Sequence, residues 1–348
     1  MRRAMFALDA ERAHELGALA LRSGVAGALA GAFEPDEILR TDAFGLSFKT
    51  PLGIAAGFDK NGVLIDALAA LGFGFVEAGT VTFRPQDGNA KPRLFRLPDD
   101  EALINRLGFN NAGAEAVAAN IKRSARNCVI GVNIGKNRDV PNEEAAENYL
   151  AAFEIVHPVA DYIAVNISSP NTPKLRELQQ AESLDELLAA LQRRNAELGR
   201  KPLLVKIAPD LTGDQIRAAA AACLKHEIDA IIATNTTISR EGLRTRDPAQ
   251  LGEGGLSGRP LRERSNAVIA EIFRYTDGKL PIVGVGGIFN AADALEKITS
   301  GASLIQAYTG FVYNGPSFAR HVAGGLAKLL KEHGYARLTD AVGAAVKR

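Results

Sequence analysis

The sequence has no tryptophan, two cysteines and five histidines, and its formal net charge is +1. Each shortage excludes something. Cys128 and Cys223 lie far apart and outside any CxxC or Cys/His cluster, and His14, His157, His226, His321 and His333 show neither HxxxH nor HxxE spacing. No zinc site or disulfide framework can be drawn from such a set, and two lone thiols fit buried, inert positions in a reducing compartment. Near-zero charge argues against nucleic acid as a partner, because phosphate binding needs Lys and Arg in excess on one face.

Long apolar runs are also missing. The nearest approach, 16–33, is polar only at Arg22 and Ser23, but it is built from Ala and Gly, and spans need about 20 strongly apolar residues. An arginine at mid-span costs about 2.5–3.5 kcal/mol. A secretory signal fits poorly, since Asp9, Glu11 and Glu15 stand where a cationic segment should lead into the apolar one. Two short, weakly amphipathic helices at about 9–23 and 25–33 are expected instead, resting on an apolar surface or on the protein's own body.

What is present is an ordinary globular composition, with 348 residues, 47% hydrophobic and 23% charged. That length suggests two domains at roughly 150 residues each, although single barrels run past about 200. From Pro51 onward short Val/Ile/Ala-rich runs recur at 52–56, 75–78, 129–133, 162–166, 203–207, 230–234, 282–285 and 304–307. They mostly lack in/out alternation, as strands buried on both faces do. Helical spacing fills the gaps at about 61–71, 112–125, 143–157, 183–198, 212–225, 263–276, 290–300 and 316–333. Thr212 with Gln215 reads as a capping box, Asn290 as a cap, Pro316 as a first-turn residue and Gly334 as a stop. In the last segment Phe318, Val322, Leu326 and Leu329 share one face. Eight strands alternating with eight helices predict a (β/α)8 barrel. A doubly wound sheet would normally carry GxGxxG after its first strand, and the sequence has none there; Gly131–Lys136 has too few residues between its glycines, and Asn137 stands where a phosphate loop needs Ser or Thr.

Barrel chemistry gathers where strands end. Those ends read Gly57-Phe58-Asp59-Lys60, Gly79-Thr80, Asn133-Ile134-Gly135-Lys136, Asn166-Ile167-Ser168-Ser169-Pro170-Asn171, Lys206, Thr234-Asn235-Thr236, Gly286-Gly287 and Tyr308-Thr309. Nearly every strand delivers an amide, a hydroxyl, a lysine or a glycine to one rim. The asparagines 105, 110, 111, 133, 166, 171 and 235 offer uncharged donors and acceptors suited to the imide edge of a pyrimidine or flavin, or else form Asx-turns. Gly286-Gly287 ahead of a helix suits a phosphate. Lys206 ends an apolar run and needs a negative partner, either an anionic ligand or a carboxylate such as Asp210.

These motifs together resemble dihydroorotate dehydrogenase: AAGFDK (55–60), EAGT (77–80), KPRLFR (91–96), NRLGFNN (105–111), VNIGKN (132–137), VNISSPNT (165–172), KIAPD (206–210), ATNTT (233–237), GGLSGRPL (254–261), GVGGI (284–288) and YTGF (308–311). They keep the family's order over essentially the whole chain. Ser169, where the soluble class carries Cys, resembles the membrane-linked class 2, as does an N-terminal extension containing Ala13-His14. Phe58 stands where Leu is more usual, a packing variation.

The resemblance implies FMN held by Ala56, Gly57, Phe58, Asp59, Lys60, Thr80, Asn133, Asn166, Lys206, Thr234, Gly258, Gly287, Tyr308 and Thr309. It implies dihydroorotate held by Lys60, Asn105, Arg106, Leu107, Gly108, Phe109, Asn166, Asn171, Asn235 and Thr236. Ser169 would remove the C5 proton while hydride leaves C6 for the flavin, giving orotate for pyrimidine synthesis. Electrons would pass to a membrane quinone through residues 1–40, with His14, Arg96 and Tyr308 near the inner end of an apolar channel, and residues 41–348 forming the catalytic barrel. The resemblance further implies a monomer lying peripherally on the cytoplasmic face of the inner (cell) membrane. Another FMN barrel acting on a different pyrimidine or 2-hydroxy acid, and a non-catalytic flavin- or phosphate-binding barrel, are the competing readings.

Overall fold

Strands buried on both faces have to be closed off on both sides, and this chain does so by curling its sheet into a barrel. The computed structural model describes residue 6, residues 8–24 and residues 33–346. Strands in chain order are β1 (Thr41–Ala43), β2 (Leu46–Phe48), β3 (Leu52–Ile54), β4 (Phe75–Val81), β5 (Leu94–Leu97), β6 (Ala102–Asn105), β7 (Val129–Ile134), β8 (Tyr162–Asn166), β9 (Leu203–Ile207), β10 (Ala230–Ala233), β11 (Gly255–Gly258), β12 (Ile282–Val285) and β13 (Leu304–Ala307). β3, β4, β7, β8, β9, β10, β12 and β13 form a closed barrel with parallel neighbours, β13 returning to β3. These are the eight expected strands, shifted by at most a few residues at their ends.

Helices surround them as expected. The first, α1 (Ala10–Arg22), precedes the barrel. The next are α2 (Ile65–Ala70), α3 (Ala114–Ile121), α4 (Ala145–Val156), α5 (Ala181–Glu197), α6 (Gly213–Lys225), α7 (Arg262–Thr276), α8 (Ala291–Thr299), α9 (Thr309–Asn314), α10 (Phe318–Glu332) and α11 (Leu338–Ala341). The Thr212/Gln215 capping box forms at α6, and Asn290 caps α8 by accepting from Asp293 N at 3.0 Å. Pro316 lies in the turn between α9 and α10, and α10 buries Phe318, Val322, Leu326 and Leu330, leaving Leu329 at the edge of the packed face. The helix expected at 25–33 falls almost wholly outside the described residues.

Two small sheets lay outside the sequence reading. The β1–β2 hairpin turns at Phe44-Gly45, both with positive φ, and inserts Phe44 and Phe48 beneath the barrel against Phe75 and Tyr162 at 5.3–5.8 Å between rings. Those rings fill the barrel where strand glycines leave room: a Cβ on Gly131 would lie 2.0 Å from the Tyr162 ring. At the opposite, C-terminal end, β5, β6 and β11 form an antiparallel sheet that roofs the mouth. Beside it lies α1, capped by Asp9, which accepts from Glu11 N at 3.1 Å and Arg12 N at 3.0 Å. Both cysteines are free, and burial pushes each thiol up to about 12, so neither is a ready nucleophile. Among the described residues no helix is long and apolar enough to cross a membrane.

Candidate active site

The strand ends and the β5–β6–β11 roof enclose a cavity of about 1060 Å³ including its mouth. Its wall brings together Ala56, Gly57, Lys60, Thr80, Asn105, Leu107, Gly108, Phe109, Asn166, Ser169, Asn171, Lys206, Thr234, Asn235, Thr236, Gly258, Gly287, Tyr308 and Thr309. All were expected there from the motifs.

Beneath the wall the polar groups satisfy one another. Thr80 Oγ1 donates to Asn133 Oδ1 at 2.5 Å and accepts from Asn166 Nδ2 at 2.9 Å. Asn166 Oδ1 in turn accepts from Ser168 Oγ at 2.9 Å and Asn235 Nδ2 at 3.3 Å. Asn133 Nδ2 donates to the buried Glu77 carboxylate at 2.8 Å, which also receives Tyr162 OH at 3.0 Å and Gln306 Nε2 at 2.7 Å. Lys206 does not turn to Asp210, whose carboxylate is held by Arg176 at 2.8 Å and by Thr237. Burial pushes the Lys206 ammonium down in pKa, and Glu77 is the charge that pulls it back up.

One side of the cavity is made by two loops that meet. Asn171 Nδ2 donates to Asn105 Oδ1 at 3.1 Å, and Asn89 Nδ2 bridges Arg106 O at 2.9 Å and Asn171 O at 3.2 Å. Ser169, buried between them, accepts from Asn171 N at 3.2 Å. A hydroxyl in that position is held but not consumed, so its own proton stays free for a ligand atom.

The other side is closed by the extension. Glu11 on α1 is buried and takes Arg93 Nη2 at 2.7 Å and Nε at 3.2 Å, while Arg93 Nη1 grips Asp87 O and Asn89 O at 2.6 and 2.8 Å. One guanidinium therefore ties the extension to the loop that braces Asn171. Lys60 lies so deep that burial pushes it down to about 8, opposed chiefly by Glu11. His14 sets its ring edge-on to Phe58 at 5.0 Å, and Phe58 meets Tyr308 at 5.6 Å, so rings lead from α1 to the cavity wall. Arg96 lies 4.9 Å over the Phe6 ring and donates to Leu8 O.

Several expected residues stand back from the wall. Phe58 is a core ring, Asp59 spends its carboxylate on Val63 N and Leu64 N at 3.0 and 2.7 Å, and Asn133 acts from behind. Arg106 turns outward to Leu251 O and Glu253 O at 2.6 and 3.0 Å, stacked on Phe95. Just ahead of the helix after β12, Asp293 Oδ2 takes Phe289 N at 2.9 Å, and the wall there is formed by Gly286, Gly287 and Ile288 rather than by the helix. Gln306 and Ser257 were missed. Gln306 had the same signal as Lys206, a polar residue inside an apolar run; Ser257, 2.8 Å from Thr309 Oγ1, sits on a glycine-rich strand that does not read as one.

The family model described as dihydroorotate dehydrogenase matches residues 38–330. The chain is 51% identical to the dihydroorotate dehydrogenase (quinone) of Roseiflexus sp. (strain RS-1), over 98% of this chain and 96% of that one. It is 52% identical to the protein of the same name from Gloeobacter violaceus, over 98% and 97%. Among solved structures, a ligand-free enzyme of this type from Eimeria tenella superposes with a TM-score of 0.91 at 39% identity, covering 97% of this chain and 99% of that one.

The buried imidazole of His14 carries a pH signature. Burial first, and then the Lys60 charge, lower it from 6.5 to about 4, so the folded protein holds it neutral. Between these values the unfolded chain binds the proton and the folded one does not, and the stability present above pH 6.5 is lost as pH falls toward 4. His14→Gln should therefore lose less thermal stability than the native chain across that window. Parallel melting curves from pH 7 to pH 4 would remove His14 from its buried, neutral role.

Proposed function

The chain belongs to the dihydroorotate dehydrogenase family and oxidises dihydroorotate to orotate with a quinone as acceptor, a step of pyrimidine synthesis; we propose that FMN is its flavin and that the cavity described above holds both flavin and substrate. The donor set fits such a group. Lys206 offers a cation in the wall, Gln306 Oε1 is a buried acceptor with no partner among the described residues, and the wall segments 286–288 and 308–310 would supply backbone amides. FMN, when bound, takes two electrons from dihydroorotate and passes them to the quinone.

The protein's own residues then have distinct tasks. Lys60, charged below pH about 8, neutralises the substrate carboxylate. Asn105, Asn166, Asn171 and Asn235 present donors and acceptors to the pyrimidine edge from side chains already locked by one another, which lowers the ordering cost of binding. Ser169 lines the cavity, and its Oγ would take the C5 proton as its own hydroxyl proton passes on to solvent. A serine hydroxyl is a weak base, so the burial of Ser169 and the hydrogen bond from Asn171 N matter because they hold its oxygen in line. The single observation that carries this reading is the convergence of Lys60, Ser169 and four interlocked asparagines on one cavity.

Residues 1–40 form the quinone side and residues 41–348 the catalytic barrel. α1 buries its acidic Glu11 and leaves Leu16 and Leu19 outside, 50% and 64% exposed. That inverted face suits an apolar membrane surface, so the protein attaches peripherally, on the cytoplasmic face of the inner membrane, and draws quinone from it. His14, Arg96 and Tyr308 lie on the route inward. We propose the monomer as the working unit, as the family resemblance implies.

Two experiments test these assignments. Ser169→Ala should retain FMN yet lose at least 100-fold in the rate of flavin reduction by dihydroorotate, the low end of what a positioned base contributes; near-native reduction in stopped flow would remove Ser169 as the base. Leu16→Glu with Leu19→Glu should leave flavin reduction intact while weakening vesicle co-sedimentation and turnover with a lipid-borne quinone. Unchanged sedimentation would show that α1 does not meet the membrane.

A further inference from the structure

Glu77 is fully buried at the centre of β4 and does not reach the cavity, yet it organises the polar floor beneath it. Its Oε1 accepts from Asn133 Nδ2 at 2.8 Å, and its Oε2 accepts from Gln306 Nε2 at 2.7 Å and Tyr162 OH at 3.0 Å. All three partners donate, which is the environment of an ionised carboxylate. Two of its connections lead to the wall. Gln306 is a wall residue, and its amide, fixed by the bond to Glu77, turns an unpartnered Oε1 elsewhere in the buried floor. Lys206, also in the wall, lies on β9, separated from Glu77 on β4 by the two strands β7 and β8, while Asn133, on β7, carries the network on to Thr80 and Asn166. The carboxylate is the negative charge that acts on the Lys206 ammonium.

A buried lysine alone would draw electrons strongly toward any ring stacked above it; a buried carboxylate on the same floor opposes that field. We propose that Glu77 is a positioning residue for the flavin. Its fixed charge balances Lys206 and, through Gln306 and Asn133, sets the orientation of the amides facing the ring, holding the flavin's two-electron potential below the value Lys206 alone would impose. The inference rests on the flavin reading of the cavity.

The test is the redox potential of purified holoenzyme, equilibrated anaerobically with a reference dye, for the native chain, Glu77→Gln and Tyr162→Phe. Glu77→Gln should favour reduced over oxidised FMN at least tenfold, about 30 mV for a two-electron couple. Tyr162→Phe removes one hydrogen-bond donor but no charge, and should leave that equilibrium within about threefold, a bound well inside the tenfold effect. An unmoved potential in Glu77→Gln, or an equal shift in Tyr162→Phe, would overturn the proposal and reduce Glu77 to packing. Thermal unfolding of Glu77→Gln, Lys206→Met and the double variant reads the pairing without flavin. Pairing predicts a double variant less destabilised than the sum, and folding regained if Glu77→Gln alone does not fold; additive losses would contradict it. A native chain that purifies without FMN would instead defeat the functional reading beneath the inference.

Discussion

A charge removed from water inside a closed barrel must find an opposite charge or a full set of hydrogen bonds, and the active end of this molecule is arranged around that requirement. Lys206 and Lys60 both lie within the protein, one at the floor of the cavity and one at its edge. Glu77 meets the first through the barrel interior. Glu11 meets the second from outside the barrel, carried there by α1 and held by Arg93. Neither carboxylate closes onto its lysine, because each is occupied by other donors.

The same arrangement joins the two ends of the proposed electron path. Arg93 binds Glu11 with one part of its guanidinium and the loop carrying Asn89 with another, and Asn89 braces Asn171 beside Ser169. From the same helix, His14 reaches Phe58 and through it Tyr308. In the proposed assignment, seating the extension therefore completes both the approach to the flavin and the bracing of the loops that would hold substrate. Removing residues 1–40 would take away Glu11 along with the apolar face, which is why point substitutions at Leu16 and Leu19 test the proposed membrane contact apart from site assembly.

Much of this was legible in the sequence, for identifiable reasons. Buried parallel strands announce themselves as unbroken apolar runs, so all eight barrel strands could be placed, and polar residues at their ends marked the rim. Lys206 could be singled out because a charge inside LLVKI has few bland explanations, but its partner could not be named: Glu77 lies three barrel strands away, and only closure of the barrel brings them together. Asp59 and Arg106 illustrate the reverse. Their positions in AAGFDK and NRLGFNN pointed to ligands, whereas their side chains stabilise the loops that shape the wall. The roof was hidden because β11 is GLSG, a composition that reads as loop, and pairs with β6 across 150 residues of sequence. The Glu11–Arg93 pair was hidden for the same reason, two unremarkable surface-type residues 82 positions apart.

The most direct measurement is the anaerobic absorption spectrum of the purified protein through one cycle. The electron path from substrate through flavin to the extension predicts a yellow protein that bleaches with dihydroorotate and regains its colour with a quinone, but not with fumarate or NAD. A protein that fails to bleach with dihydroorotate, or that is reoxidised by fumarate or NAD and not by a quinone, would contradict it.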